Sequence, residues 1–356
     1  MTLSNPLETS PQLKTMLAAV ESACRESLNH KILLSEPAIF QMLSYHMGWD
    51  PALPGKKGKR IRPLLVCLVA QACGTDWQRT LPAAASVELL HNFTLIHDDI
   101  QDQSDERHGL PALWKIHGIA QAINAGDAMY SLALDHLWRL RSAFSVEIIA
   151  QCSEQLTLTC LHLTAGQYQD MEFETRPVIR DVAIAGTSGQ KFPVTADEYI
   201  RMVEGKTTAM LRACCNIGTI LAGATEEMQA TFDAFGYHLG IAFQVMDDYL
   251  GVWGDSAQTG KSNATDLINH KRSIPVIWGL ERSSAFQQRW VNGDIQASDI
   301  YLLRDMLTDA GVASDVLMLA KDHTLKAFAC LQKAITLGAH TSYLPDLTEW
   351  LLNRNK

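Results

Sequence analysis

Apolar residues recur at spacings of three and four along most of this chain. The pattern is clear in AAASVELLHNFTLIHDD, AINAGDAMYSLALDHLWRL, EIIAQCSEQLTLTCLHLTAGQYQDM and MQATFDAFGYHLGIAFQVMDDYL, and it predicts long amphipathic helices. Proline placement agrees. None falls between Pro111 and Pro177, between Pro193 and Pro275, or between Pro275 and Pro345, and proline is strongly disfavoured inside helices. Alternating strand patterns are few, and no internal repeat is visible at the level of residue identity. Breakers gather at 51–58, 104–109, 175–195 and 251–269. These read as loops between helices, the third with room for a short hairpin. The predicted architecture is all-α, one large helical bundle.

Composition narrows the classes. With 356 residues, 47% hydrophobic and 19% charged, the chain can bury a sizeable core and is not disordered. A formal charge of −9 argues against a general nucleic-acid binder, which needs broad positive charge. No apolar run approaches the ~18 residues of a membrane span. The N-terminal stretch MTLSNPLETSPQLK lacks the basic and apolar regions of a secretory signal. Eight cysteines form no CxxC pair and sit mostly in apolar helical context. They are expected as buried thiols of a reducing, cytoplasmic protein.

The strongest local chemistry is acidic. His97-Asp98-Asp99-Ile100-Gln101-Asp102 ends a long apolar-periodic helix, with His91, Asp98 and Asp102 on one face. Carboxylates one turn apart repel, and the helix macrodipole disfavours them near a C-terminus. A divalent cation with oxygen ligands would compensate, magnesium bridging to a phosphorylated substrate being the usual arrangement. A solvated acidic helix end is the alternative for such a cluster alone. A second cluster, Phe243-Gln244-Val245-Met246-Asp247-Asp248-Tyr249-Leu250, repeats the pattern, and Gln244 shares the face of its aspartates. Two such helix ends can face each other across a cavity and hold metal with a diphosphate.

Cations lie beside both clusters. Lys59, Arg60 and Arg62 precede an apolar helix, Arg107 and His108 follow the first cluster, Lys206-Thr207 sits in EGKTTAML, and Lys261 and Lys271 flank Asp266 after the second cluster. Lysine and arginine bind phosphate by charge and fork geometry. An acidic protein with a confined basic pocket suits a small polyanion.

In order, GKRIRP, ELLHNFTLIHDDIQD, ERHG, GQYQDM, EGKTTAM, FQVMDDYLGVWGD and the Lys261–Lys271 stretch resemble the successive motifs of trans-isoprenyl diphosphate synthases, the polyprenyl synthetase family. The resemblance runs from about 58 to 275. It implies one isoprenoid synthase domain over 1–356, a deep central cavity, a homodimer, and condensation of isopentenyl diphosphate with an allylic diphosphate. It also implies that Asp98, Asp99, Asp102, Asp247 and Asp248 ligate magnesium, three ions per site. By the same resemblance Arg107, Lys206 and Lys261 bind the allylic diphosphate, and Lys59, Arg62 and His91 bind isopentenyl diphosphate. Thr207 and Gln244 would stabilise the cation through their oxygens, and Lys271 would add charge near the cavity mouth.

Two positions depart from the family pattern. His108 stands where a second arginine that binds isopentenyl diphosphate is usual, and Gly251 where the second motif usually ends in aspartate. Asp255 is the nearest further carboxylate. On product length, Phe93 and the small Thr94 stand below Asp98 with no insertion, a pattern that resembles geranylgeranyl diphosphate synthases. Two rivals remain. A terpene cyclase on the same scaffold is favoured by His108 but leaves Lys59, Arg62 and His91 without a role. A non-catalytic partner subunit typically lacks one acidic motif, and here both are present.

Overall fold

A computed structural model describes residues 5–49, 58–178, 193–254, 265–292 and 295–353. Lys261, Asp255 and most of the 175–195 and 51–58 loops lie outside the described residues. The main helices are α1 (Pro11–Ser27), α2 (Pro37–His46), α3 (Ile61–Ala72), α4 (Leu81–Gln101), α5 (Ile119–Leu137) and α6 (Val146–Glu174). They continue as α7 (Ala196–Val203), α8 (Ala209–Leu221), α9 (Glu226–Trp253), α10 (Ile274–Arg282), α11 (Val312–Thr336) and α12 (Leu344–Asn353). The four segments singled out by periodicity fall within or end on α4, α5, α6 and α9. Shorter helical turns connect them, and the fold is all-α as expected.

Local chemistry sets the starts. Ser145 and Thr225 accept hydrogen bonds from the N–H groups of Ile148 and Met228 at the heads of α6 and α9. Thr195 and Glu198 form a reciprocal capping box at α7. A five-residue π-helical turn, Glu204–Thr208, separates α7 from α8. Nothing in the periodicity announces it.

Helix α4 packs between α5 and α3, α8 joins α3 to α9, and α11 lies along α9. One large apolar cluster centres on α1, α3, α4, α5 and α8, and a smaller one on α7, α10 and the adjoining ends of α9 and α11. The ends of the chain meet. Tyr343 donates its hydroxyl to Gln12 across 331 positions, and the His340 N–H donates to the Ala72 carbonyl. No helix among the described residues is long and apolar enough to cross a membrane. All eight cysteines are free thiols, five of them buried.

Among the described residues the strand content is one hairpin of two-residue strands. Glu106–Arg107 pairs antiparallel with Leu110–Pro111. Its corner residues His108 and Gly109 both have positive φ, 56° and 79°, the requirement of a tight type I′ turn. The breakers at 104–109 predict only a loop here, and the segment with room for a hairpin, 175–195, lies mostly outside the described residues. The His-Gly pair was the available signal for this one.

Candidate active site

The three cations of GKRIRP divide. Arg60 adopts a left-handed conformation (φ 52°) at the head of α3 and turns into the core. Its guanidinium donates to Glu88 at 2.7 Å, to Glu21 at 3.1 Å and to the Met47 carbonyl at 3.0 Å. Removing one partner of such a buried ion pair costs about 3–5 kcal/mol, so Arg60 is an anchor. Lys59 and Arg62, with His91 of α4 and His108 of the hairpin, line one cavity of about 340 Å³. Leu211, Leu239 and Phe243 give its apolar wall, and Leu351 of α12 closes it. The Lys59 ammonium rests 4.8 Å above the Trp350 ring, a contact with the last helix that the motifs did not point to.

Burial, reinforced by Arg62 and Arg107, holds the His91 imidazole well below its ordinary pKa. Burial, with Arg107 and Arg60, also lowers the pKa of His108. Both histidines are therefore neutral at physiological pH and offer hydrogen bonds rather than charge.

His91 and Leu95 line that cavity, and Asp98 and Asp102 continue the same face of α4. Burial pushes the Asp98 carboxyl up to about 6; Lys206 pulls it down and Asp102 pushes it further up. Asp99 is different. It is buried, and Arg107 grips it through Nε at 3.0 Å and through Nη2. The hairpin thus commits Arg107 to the second aspartate of the cluster.

The π turn carries Lys206 and Thr207 to the site, and π bulges recur at functional positions. It fits because two glycines let backbones touch. A Cβ at Gly166 of α6 would lie 2.2 Å from the Lys206 nitrogen, and one at Gly205 would lie 2.8 Å from the His162 carbonyl oxygen. One turn beyond Gly166, Asp170 forms an ion pair with the Lys206 ammonium. Lys206 and Lys271 outweigh burial and hold the Asp170 carboxyl below its ordinary range. The GQYQD stretch therefore supplies both the close approach and the counter-charge for Lys206. Neither role can be read from the motif alone, because Lys206 lies 36 positions from Asp170.

The second cluster also divides. Asp248 is buried and accepts from the Tyr199 hydroxyl, the Ile274 N–H at the head of α10, and Gln244 Nε2. The Thr207 hydroxyl donates to Gln244 Oε1 at 2.7 Å. Asp247, one residue earlier, is only partly buried. Tyr199 carried no sequence signal, since it stands 49 positions from its partner. Burial alone would depress the Lys271 ammonium, but Asp266, Asp248, Asp170 and Asp247 together hold it protonated. Lys271 thus sits within the field of these four carboxylates. A Cβ at Gly251 would meet the Asp266 carboxylate at 2.6 Å, so the carboxylate against Gly251 comes from Asp266.

Phe93 packs on Tyr130 of α5, ring centroids 5.2 Å apart, and on His97 at 4.8 Å. The Thr94 hydroxyl donates to the His91 carbonyl at 2.7 Å within its own helix.

Comparisons with known proteins identify the family. The family model described as polyprenyl synthetase matches residues 51–299. Geranylgeranyl diphosphate synthase of Mycobacterium tuberculosis is 36% identical over 276 residues, 76% of this chain and 73% of that one. (2E,6E)-Farnesyl diphosphate synthase of Mycobacterium bovis is 37% identical over 258 residues, 71% and 67% of the two chains. Among solved structures, geranylgeranyl pyrophosphate synthetase of Pyrococcus horikoshii superposes with a TM-score of 0.81 at 27% identity, covering 96% of this chain and 97% of that one. The two acidic helix ends, the cavity lined by Lys59, Arg62, His91 and His108, and these matches have one common reading: the chain belongs to the polyprenyl synthetase family.

Proposed function

We propose that this chain, as one domain over 1–356, is a trans-prenyltransferase. It condenses isopentenyl diphosphate head-to-tail with an allylic diphosphate and releases geranylgeranyl diphosphate. The observation that carries the reading is the meeting of Lys59, Arg62, His91 and His108 on one cavity, with Asp98 and Asp102 farther along the α4 face that His91 and Leu95 present to it. A cyclase has no use for that second anion pocket.

The donor set fits magnesium. Every carboxylate in question is a hard oxygen ligand, and magnesium characteristically takes one or two carboxylates and completes its shell with water and phosphate. Among the described residues no three such side chains converge on a point; substrate and water would supply the remaining ligands. Asp98, Asp102 and Asp247 would hold the ions, three on the family pattern. Bound magnesium supplies positive charge against the leaving diphosphate. Lys206, with Lys261, adds fixed charge to the same anion, and Arg107 keeps Asp99 in place. Lys59 and Arg62 anchor the second diphosphate, with neutral His91 and His108 as hydrogen-bond partners. Thr207 and Gln244 turn oxygens toward the developing cation. The exposed apolar Ile119 and Ile123 on α5 and Leu158, Leu161 and Tyr168 on α6 support a homodimer.

The test is incubation with magnesium, labelled isopentenyl diphosphate and dimethylallyl, geranyl or farnesyl diphosphate, with products read before and after phosphatase. Geranylgeraniol seen only after phosphatase is the expected product. Hydrocarbon or terpene alcohol formed without isopentenyl diphosphate would establish a cyclase instead. Chain length has its own check. Phe93→Ala removes the ring that meets Tyr130 and is expected to shift product beyond geranylgeranyl; unchanged chromatographic length would rule Phe93 out as the stop.

A further inference from the structure

Gln244 has an amide whose two ends differ in sign, and the structure determines which end faces which neighbour. Its Nε2 donates to Asp248 Oδ1 at 2.8 Å, and its Oε1 accepts from Thr207 at 2.7 Å. The other Asp248 oxygen accepts from the Tyr199 hydroxyl at 2.5 Å and from the Ile274 N–H at 3.2 Å. Three donors thus converge on one carboxylate, which accepts and does not donate. Asp248 therefore demands the nitrogen end of Gln244, and the oxygen end is left for Thr207.

We propose that Asp248 and Tyr199 are positioning residues that lock the polarity of the Gln244 amide, so that oxygen rather than N–H faces the reacting cation. This rests on the prenyl-transfer reading above. In it, Asp248 serves the reaction through Gln244 and holds no metal ion itself. A reversed amide would present hydrogens to a positive charge, converting a stabilising dipole into an opposing one.

Substitution by asparagine makes the lock testable. The Ile274 N–H is a backbone donor and cannot reverse, so an asparagine at 248 must turn its oxygen toward Ile274 and Tyr199. Its NH₂ then faces Gln244, which must offer oxygen and turn its own NH₂ toward Thr207. The Thr207 hydroxyl can accept as readily as donate. Every hydrogen bond survives and only the dipole facing the cation is inverted.

The experiment compares wild type, Asp248→Asn, Tyr199→Phe, Gln244→Met, and each of the first two variants combined with Gln244→Met. It reads kcat, KM for the allylic diphosphate, magnesium for half-maximal rate, and Tm. Asp248→Asn is expected to lower kcat about 10²-fold, the scale of losing one preorganised dipole, with KM and magnesium requirement within about threefold. Tyr199→Phe is expected to lower kcat about tenfold. In the Gln244→Met background neither change should cost more than about threefold, because no amide remains to orient. Full-sized losses in that background, or a tenfold higher magnesium requirement for Asp248→Asn, would overturn the inference and place Asp248 on the metal. A Tyr199→Phe variant with lowered Tm and unchanged kcat would reduce Tyr199 to packing. A wild type inactive with every primer would overturn the prenyl-transfer reading, and the lock with it.

Discussion

Asp98→Asn is expected to lose about 10³-fold in kcat while gaining thermal stability. The two effects have one origin. The carboxyl is desolvated and its pKa rises from 3.8 to about 6 in the folded chain. Between those values the folded state binds more protons than the unfolded state, so stability falls as pH rises through that window. Above it the charge is a standing cost to the fold, only partly offset by Lys206. Asparagine keeps the shape and removes the cost. A rise in Tm of about 2 °C or more at pH 7 follows, smaller at pH 4 where wild-type Asp98 is already largely neutral. The loss in rate reflects a charge that grips metal and leaving group in a dry site, where one such interaction is worth several kcal/mol. Calorimetry at both pH values, with a magnesium titration of kcat, checks both parts. A variant that kept its rate, or whose Tm fell at pH 7, would mean that Asp98 is held for structure.

Gly166→Ala is expected to cost both stability and rate. The added carbon would lie 2.2 Å from the Lys206 backbone nitrogen and 2.7 Å from the Gly205 carbonyl carbon. Neither neighbour is a side-chain tip that can swing away, so the π turn must move. Overpacking of this kind costs about 1–3 kcal/mol. The catalytic cost is larger, because Lys206, Thr207 and the hydrogen bond from Thr207 to Gln244 all ride on the displaced turn. A 1 Å misplacement can cost about 10²-fold. Tm and kcat measured together decide it: a rate within twofold of wild type would show that the turn tolerates the shift.

The helices were legible because their signal is local. Period, proline exclusion and caps lie within a few residues of each other, and α4, α5, α6 and α9 appear where the pattern put them. The acidic and basic residues of the site were legible as types at spacings. Their division of labour was not. Asp98 and Asp99 are adjacent and chemically identical, yet only the hairpin decides that Asp99 belongs to Arg107. Asp247 and Asp248 are separated in the same way by Tyr199 and by the head of α10. Arg60 reads as one of three phosphate-binding cations until its left-handed backbone turns it onto Glu88 and Glu21. Each of these outcomes depends on a partner brought in by tertiary structure, which spacing along one helix does not encode. The π turn is hidden for a related reason: it exists because Gly166 of another helix leaves room for it.

The hydrogen bond from Tyr343 to Gln12 joins segments 331 positions apart, and α12, which follows it, contributes Leu351 to the cavity and Trp350 to Lys59. Closing so long a loop is entropically slow compared with forming helices. A refolding chain is therefore expected to regain its helical signal before its pocket closes, leaving the apolar wall open to water in between; coincident recovery of helical circular dichroism and ligand binding would exclude such a stage. For production of this protein, that open stage is where self-association competes with assembly. Dilution or a ligand of the pocket during refolding would recover more material than any change that merely strengthens the helices.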